Sequence, residues 1–578
     1  MNTAEILIKL LEADGVKYIF GHPGEQILPF YKVLKDSSIE HVLVRHEQSA
    51  AHAADAYARS TSDYGLCIST AGPGAMNLVM GVATAFKDSV PLLVITGDNP
   101  CSWKGTDLFQ TIPVNSVFED ITFRTFHPSD SIEAVLNLIE ALEILHKKPK
   151  GPVHINLSKD VLSSDFNFDF RDLGLDINDL DSLLDYVANL DSCRDIFNPD
   201  YDDFSSCVFD PKYDDLSLNS SSDVCFNINL AINRLLASQK PLIIAGNGIV
   251  WGKAIDKLSD FVSKTHVPIA TTYHSKGVIS EDDKFNLGLV GLRGTSLSNY
   301  AYMESDFILV LGAKLSERTL AACDYNLVKD KIVHVNIDRN CLKGEINICS
   351  DVAMFLDLLL SLDELSSYRI DDSWIDEIYS NYLPLVVDGI DDIEENYNPL
   401  KPQYVINKIF KSFGGAYFLA DAGTHTTWSS LLSSSDKFGK FLFSGGFAPM
   451  GYSLSGSIGV AIAHPDEKIV VICGDGDIQM VIQELATITE YDLNVSIFLL
   501  NNSQLGVIRQ WEQNIYGFDN YQVDLKNPDF VKVAEAYGIK SMGVNTREDL
   551  NLAIEEALKD GAFLVDVAVA EENIPMPK

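Results

Sequence analysis

At 578 residues the chain is too long for one hydrophobic core and suits about three or four domains of ordinary size. A hydrophobic content of 46% against 22% charged residues is that of a globular protein, and a formal charge of −38 repels nucleic acid and anionic membrane surfaces alike. No run of about eighteen apolar residues is present to span a membrane, and nine cysteines without a CxxC pair or regular spacing indicate neither a zinc site nor a disulfide framework, which fits a reducing cytoplasm.

The first element, "MNTAEILIKLLEADGV", is an amphipathic helix with Asn2 or Thr3 as its cap and Glu5 in its first turn, not a basic-then-apolar leader. It opens a block, residues 1–161, in which the strand-like runs "KYIFG", "HVLVR", "GLCIST", "PLLVITG" and "PVHINL" alternate with helical stretches such as "SAAHAADAYARS". Residues 162–226 carry sixteen aspartates against Arg171, Arg194 and Lys212, with repeated Asn and Ser, and read as a solvated linker or surface insertion. A second block, 227–362, holds "PLIIAGNGIV", "FILVLGAK" and "KIVHVNID"; a linker over 363–401 leads to a third block, 402–578. The fold class this predicts is α/β, with three doubly wound parallel-sheet domains covered by helices on both faces.

The third block carries the densest chemistry. "KIVVIC" reads as a buried strand, "IQMVIQELATITEY" as a helix ended by Asp492 and Asn494, and "VSIFLL" as a second strand. Between the first strand and the helix stands "GDGDIQM", and "NN" closes the second strand. Parallel strands joined by a right-handed crossover bring Asp475 and Asn502 to the same carboxyl edge, where open α/β sheets hold ligands. Gly474 and Gly476 permit close backbone approach, and a helix starting near Ile478 offers N–H groups to an anion. A carboxylate, an amide oxygen and a backbone carbonyl suit Mg²⁺, which also takes phosphate oxygens.

The spacing of GDG, about two dozen residues, then NN resembles the signature of the thiamine diphosphate enzymes. That resemblance implies Asp475, the side chain of Asn502 and the backbone carbonyl of Gln504 as metal ligands, with Gly474, Gly476 and Asp477 at the diphosphate. "VRHEQSAAHAADAYAR" and "STAGPGAMN" resemble the acetolactate synthase branch of the family, which reads RHEQGAAHxADGYAR and TSGPGATN. There Glu47 would meet a ring nitrogen of the aminopyrimidine and share the proton that activates the cofactor, in a dry pocket where a carboxyl pKa can rise. "GFAPMGYSL" resembles GLGTMGYGL, making Met450 the wedge that bends the cofactor.

Substrate-side motifs continue the likeness. "KGTDLFQ" implies Phe109 and Gln110, "LSKDV" implies Lys159, "NNSQLGVIRQWEQ" places Trp511 against the acceptor, and "GAKLSER" places Arg318 near flavin or substrate. The implied reaction decarboxylates pyruvate and joins the two-carbon unit to pyruvate or 2-oxobutanoate, in branched-chain amino acid biosynthesis; a sister enzyme with another donor or acceptor is the alternative. "GLRGT" beside GMHGT leans toward FAD in the middle domain, although "IIAGNGIV" supplies only half of a dinucleotide fingerprint. Because Glu47 and the diphosphate cradle lie in different domains, the resemblance implies a homodimer or homotetramer, and it admits a small regulatory subunit. Departures fall at Glu25, where the branch has a small residue, at Thr424 and Thr426, which replace amides, and at Asp477, where serine is frequent.

Overall fold

The computed structural model describes residues 1–103, 107–165, 179–190, 224–321, 324–381, 398–433 and 439–574. The chain begins as anticipated: Asn2 and Glu5 form a capping box on helix Thr3–Ala13, whose Ile6, Leu7, Leu10 and Leu11 are buried. Three six-stranded sheets follow, and every strand pairing in them is parallel.

The first sheet contains β1 (Tyr18–Gly21), β2 (Glu40–Leu43), β3 (Gly65–Ser69), β4 (Leu92–Asp98), β5 (Arg124–Phe126) and β6 (Pro152–Ser158), in the order 2-1-3-4-6-5. The second contains β7 (Pro241–Ala245), β8 (Ile269–Thr271), β9 (Asn286–Leu289), β10 (Phe307–Leu311), β11 (Ile332–Asn336) and β12 (Ile346–Cys349), ordered 12-11-10-7-8-9. The third contains β13 (Tyr417–Ala420), β14 (Phe441–Leu442), β15 (Ile469–Gly474), β16 (Val495–Asn501), β17 (Lys540–Val544) and β18 (Phe563–Ala568), ordered 14-13-15-16-18-17. Central strands such as β3, β10 and β15 are buried along their whole length, which is why they read as unbroken apolar runs. In the third sheet the chain moves outward from β13 to β14, then returns to β15 on the other side. A crevice therefore opens between the ends of β13 and β15.

The first and third domains are knit together by helices Glu47–Thr61 and Tyr452–Ala463. Gly459 lies so close to the first helix that an added Cβ would stand 1.9 Å from Ala53 O. Beside this seam, buried Arg59 reaches Asp55 at 2.7 Å and Asp88 at 2.9 Å, while His274 of the central domain lies 3.2 Å from Asp88. No helix among the described residues is long and apolar enough to cross a membrane.

Four expectations change. Within the acidic stretch, helix Leu180–Ala188 buries Leu183 and Val187 against the first domain's core, so this part is not a solvated linker; 166–178 and 191–223 lie outside the described residues. Within the expected linker 363–401, helix Asp372–Ser380 buries Trp374, Ile375 and Ile378 in the central core, and Trp374 Nε1 donates to Pro241 O. The single helix expected after "GDG" is broken into Asp475–Ile478, a tight turn at Ile482–Glu484 and Leu485–Glu490, because Val481 leaves helical geometry to pack under Gly451. Finally, Cys225 is disulfide-bonded, where the cysteine spacing predicts no bridge.

Candidate active site

The third sheet builds one half of the site. β15 ends at Gly474, and β16, its immediate neighbour, runs through Asn501, so Asp475 and Asn502 emerge side by side at the carboxyl edge. Asp475 is buried; burial raises its pKa, and the Asn527 amide, donating to Oδ2 at 2.6 Å, counters the rise. Asn502 Oδ1 accepts the Gln504 N–H at 3.0 Å, a local turn with Ser503 in the left-handed region at φ 57°. Asn501 is the inward partner of the pair, accepting from Asn527 and donating to Asp566.

Asp477 is buried as well. Its Oδ2 accepts the Gly474 N–H at 2.8 Å and lies 3.1 Å from His425 Nε2. Burial pulls the His425 pKa down, but the Asp477 charge outweighs it and the net shift is upward. Asp421, at the end of β13, is pushed up to about 6 by burial and then by the charge of Asp477. It accepts from the Gly451 and Ser453 amides and the Ser453 hydroxyl, which fixes the turn that presents Met450. The Met450 methyl lies over Gly476, where an added Cβ would meet Cε at 3.2 Å.

Asp475, Asp477, Asn502, His425 and Met450 line a cavity of about 650 Å³ that also takes in Trp511 and, from the central domain, Arg293 and Arg318. Gly291, at φ +111°, packs against the Arg318 backbone, so "GLRGT" holds the arginine's turn in place. Thr426 Oγ1, also in the lining, is a buried oxygen without a partner. No cluster of three or more His, Cys, Asp or Glu side chains suited to a metal occurs among the described residues, so any ion here depends on Asp475 with amide and backbone oxygens.

The first sheet supplies a second group at its own carboxyl edge. Glu47 opens helix Glu47–Thr61 immediately after β2; its Oε2 accepts from Asn77 at 2.9 Å, and Gly74 is close enough that an added Cβ would lie 3.1 Å from Oε1. Gly72, at φ +54°, abuts the Gln110 backbone, with Gln110 itself at φ 61°. Phe109 is 75% exposed. Lys159 begins the turn after β6 and pairs with Glu25, Nζ to Oε1, at 3.1 Å.

The expected residues are thus in two groups. Asp475, Asn502, Gln504, Asp477, Met450, Arg318 and Trp511 share the cavity; Glu47, Phe109, Gln110 and Lys159 do not line it, although Gln48 Nε2 reaches Met450 O at 3.5 Å. Sequence reading missed Asp421, His425 and Asn527. The first two stand in "DAGTHTTW", the stretch that holds the noted Thr424 and Thr426, and β13 ahead of it was the available signal.

Comparisons with known proteins follow the same division. The chain matches the models for the thiamine pyrophosphate enzyme N-terminal TPP binding domain over 1–117, the central domain over 228–365 and the C-terminal TPP binding domain over 421–567. It is 34% identical to the probable acetolactate synthase large subunit of Methanocaldococcus jannaschii, across 100% of this chain and 93% of that protein. The acetolactate synthase large subunits of Cyanidium caldarium and Haemophilus influenzae are 35% and 30% identical, covering 99% and 100% of this chain and 94% and 96% of their own length.

Proposed function

Because the chain belongs to the thiamine pyrophosphate enzyme family and aligns end to end with its acetolactate synthase large subunits, we propose that it decarboxylates pyruvate and joins the two-carbon unit to a second 2-oxoacid, pyruvate or 2-oxobutanoate, in branched-chain amino acid biosynthesis. The observation that carries the reading is the emergence of Asp475 and Asn502 from the ends of adjacent strands, with Met450 over the neighbouring Gly476.

The donor set fits thiamine diphosphate with Mg²⁺: one carboxylate and one amide at the carboxyl edge of the third sheet, a glycine at 476 where an added side chain would crowd Leu505 and Met450, and an unpartnered Thr426 hydroxyl. When bound, the cofactor supplies a nucleophilic carbon and an electron sink for decarboxylation. Asp475, Asn502 and the Gln504 carbonyl would hold the metal. Glu47 would hold the activating proton, Met450 would support the cofactor from its place over Gly476, and Trp511 and Arg318, which line the cavity, would bound the acceptor. Gln110, Lys159 and Phe109, which stand outside the cavity within this chain, would meet the substrate from the first domain.

Site completion by a second copy is part of this reading. Phe109, Trp103 and Ile112 in the first domain, and Met480, Tyr516 and Tyr521 in the third, are large exposed apolar residues beside the two groups, as surfaces awaiting a partner are. The proposal is a homodimer or homotetramer in the cytoplasm; the relatives' designation as large subunits supports a small regulatory partner. FAD is also proposed, in a cavity of about 470 Å³ at the ends of β7, β10 and β11 where Lys314 and Lys343 offer positive charge. The "IIAGNGIV" glycines do not argue for it: Gly248 is jammed against Gly312, an added Cβ standing 2.6 Å from its Cα, so close packing of two turns requires them.

The test is to incubate purified protein with pyruvate, thiamine diphosphate and Mg²⁺ and measure acetolactate, recording the flavin absorption of the same sample. Absence of acetolactate overturns the function, and absence of a flavin band overturns only the FAD reading. Mixing Glu47→Gln with Asp475→Ala protein should restore part of the activity if the two groups act across subunits.

A further inference from the structure

β1 ends in the turn "HPGEQ", and its setting fixes where Glu25 stands. Gly24 is pressed onto Thr70, with an added Cβ only 2.4 Å from the threonine Cβ. Gln26 is buried, accepts from Thr70 Oγ1 at 3.2 Å and donates to Asn99 at 3.4 Å. Asn99 in turn donates to Phe109 O and Thr111 Oγ1. Glu25 is therefore carried on a turn braced from both sides, at the same carboxyl edge as Glu47 and the Gly72–Gly74 turn. Across the edge stands Lys159, 3.1 Å away.

A 2-oxoacid arriving at this edge carries a carboxylate, and Lys159 is a cation there to receive it. The cation is already paired. An incoming monoanion competes with Glu25 for one ammonium, and a dianion such as 2-oxoglutarate is also repelled by whatever share of the Glu25 charge the ammonium leaves uncompensated. We propose that Glu25 is a specificity-determining residue that, through Lys159, selects monoanionic over dianionic 2-oxoacids. The inference rests on the reaction class given above and adds to it which acceptors are refused.

The experiment is a double-mutant cycle with Glu25→Gln, Lys159→Met and the pair, with Glu25→Gly as a second variant should the first misfold. Acceptor KM is measured for 2-oxobutanoate and for 2-oxoglutarate at fixed pyruvate. Both side chains are partly exposed, so the pair carries at most about 1 kcal/mol, equivalent to about fivefold. The expected result is that Glu25→Gln lowers the KM for 2-oxoglutarate relative to 2-oxobutanoate by about that factor, that added salt shrinks the difference, and that the same substitution changes the ratio far less when Lys159 is methionine. An unchanged ratio, or an equal change in both backgrounds, overturns the proposal. Calorimetric binding of the two 2-oxoacids to the holoenzyme repeats the cycle without turnover; it separates this inference from the reaction itself, which fails independently if the unaltered protein makes no acetolactate.

Discussion

Replacing Glu47 with glutamine changes one atom and removes one function. The amide is isosteric, and its oxygen still accepts from Asn77 where the carboxylate does at 2.9 Å, so the start of helix Glu47–Thr61 keeps its anchor. What is lost for folding is a single negative charge in a first helical turn, about 0.3–1 kcal/mol. That is small beside the catalytic term. A glutamine cannot share the activating proton, and loss of an acid–base group costs about 10² to 10⁴ in rate. Glu47→Gln should therefore show near-normal unfolding and near-normal thiamine diphosphate binding, measured by cofactor-induced fluorescence quenching, with acetolactate formation down by at least about a hundredfold. Turnover within a few-fold of the unaltered protein would refute the assignment; equal loss of binding and turnover would move Glu47 from proton transfer to cofactor retention.

Asp475→Ala should weaken Mg²⁺ and thiamine diphosphate together, since one carboxylate links the protein to both; calorimetry in the presence and absence of metal reads this, and unchanged cofactor affinity would sink the cradle. Trp511→Leu removes an aromatic wall from the cavity, and apolar contacts of about 1–3 kcal/mol should shift the pyruvate to 2-oxobutanoate product ratio by roughly tenfold, with carbon dioxide release retained; competition between the two acceptors checks it. His52 is buried with neither ring nitrogen partnered, and burial, then the Arg59 charge, lowers its pKa from 6.5 to about 3. A depressed folded pKa means its contribution is complete above pH 6.5 and disappears as pH falls toward 3, up to about 5 kcal/mol. Denaturant titrations of His52→Phe should lose much of that acid slope, and an identical slope would refute the linkage.

The three sheets were legible because their central strands are buried on both faces, and unbroken apolar runs such as "PLLVITG" need no context to be read. The edge strands β14 and β17 escaped: β14 has two residues, and β17 buries only its last residue, so it reads like a loop. At the site, Asp475 and Asn502 were readable because strand, turn and crossover are local. Asp421, His425 and Asn527 owe their roles to neighbours 30 to 52 residues distant, through hydrogen bonds and charge that exist only once β13, β15 and the segment beyond β16 converge. The broken helix after Asp477 failed for a related reason. Its apolar spacing is helical, but Val481 is claimed by Gly451, a contact no periodicity reports.

A nick in the backbone between the central and C-terminal domains should leave the two pieces bound together. Asp88 of the first domain receives Arg59, faces His274 of the central domain and accepts the Gly446 amide of the third at 2.9 Å, so one carboxylate clasps all three. Its pKa is held well below the ordinary carboxylate range, burial being overcome by His274 and Arg59, so the clasp persists far into acid. A protease that finds the connecting segment would thus yield two bands on a denaturing gel from a particle that still sediments as one.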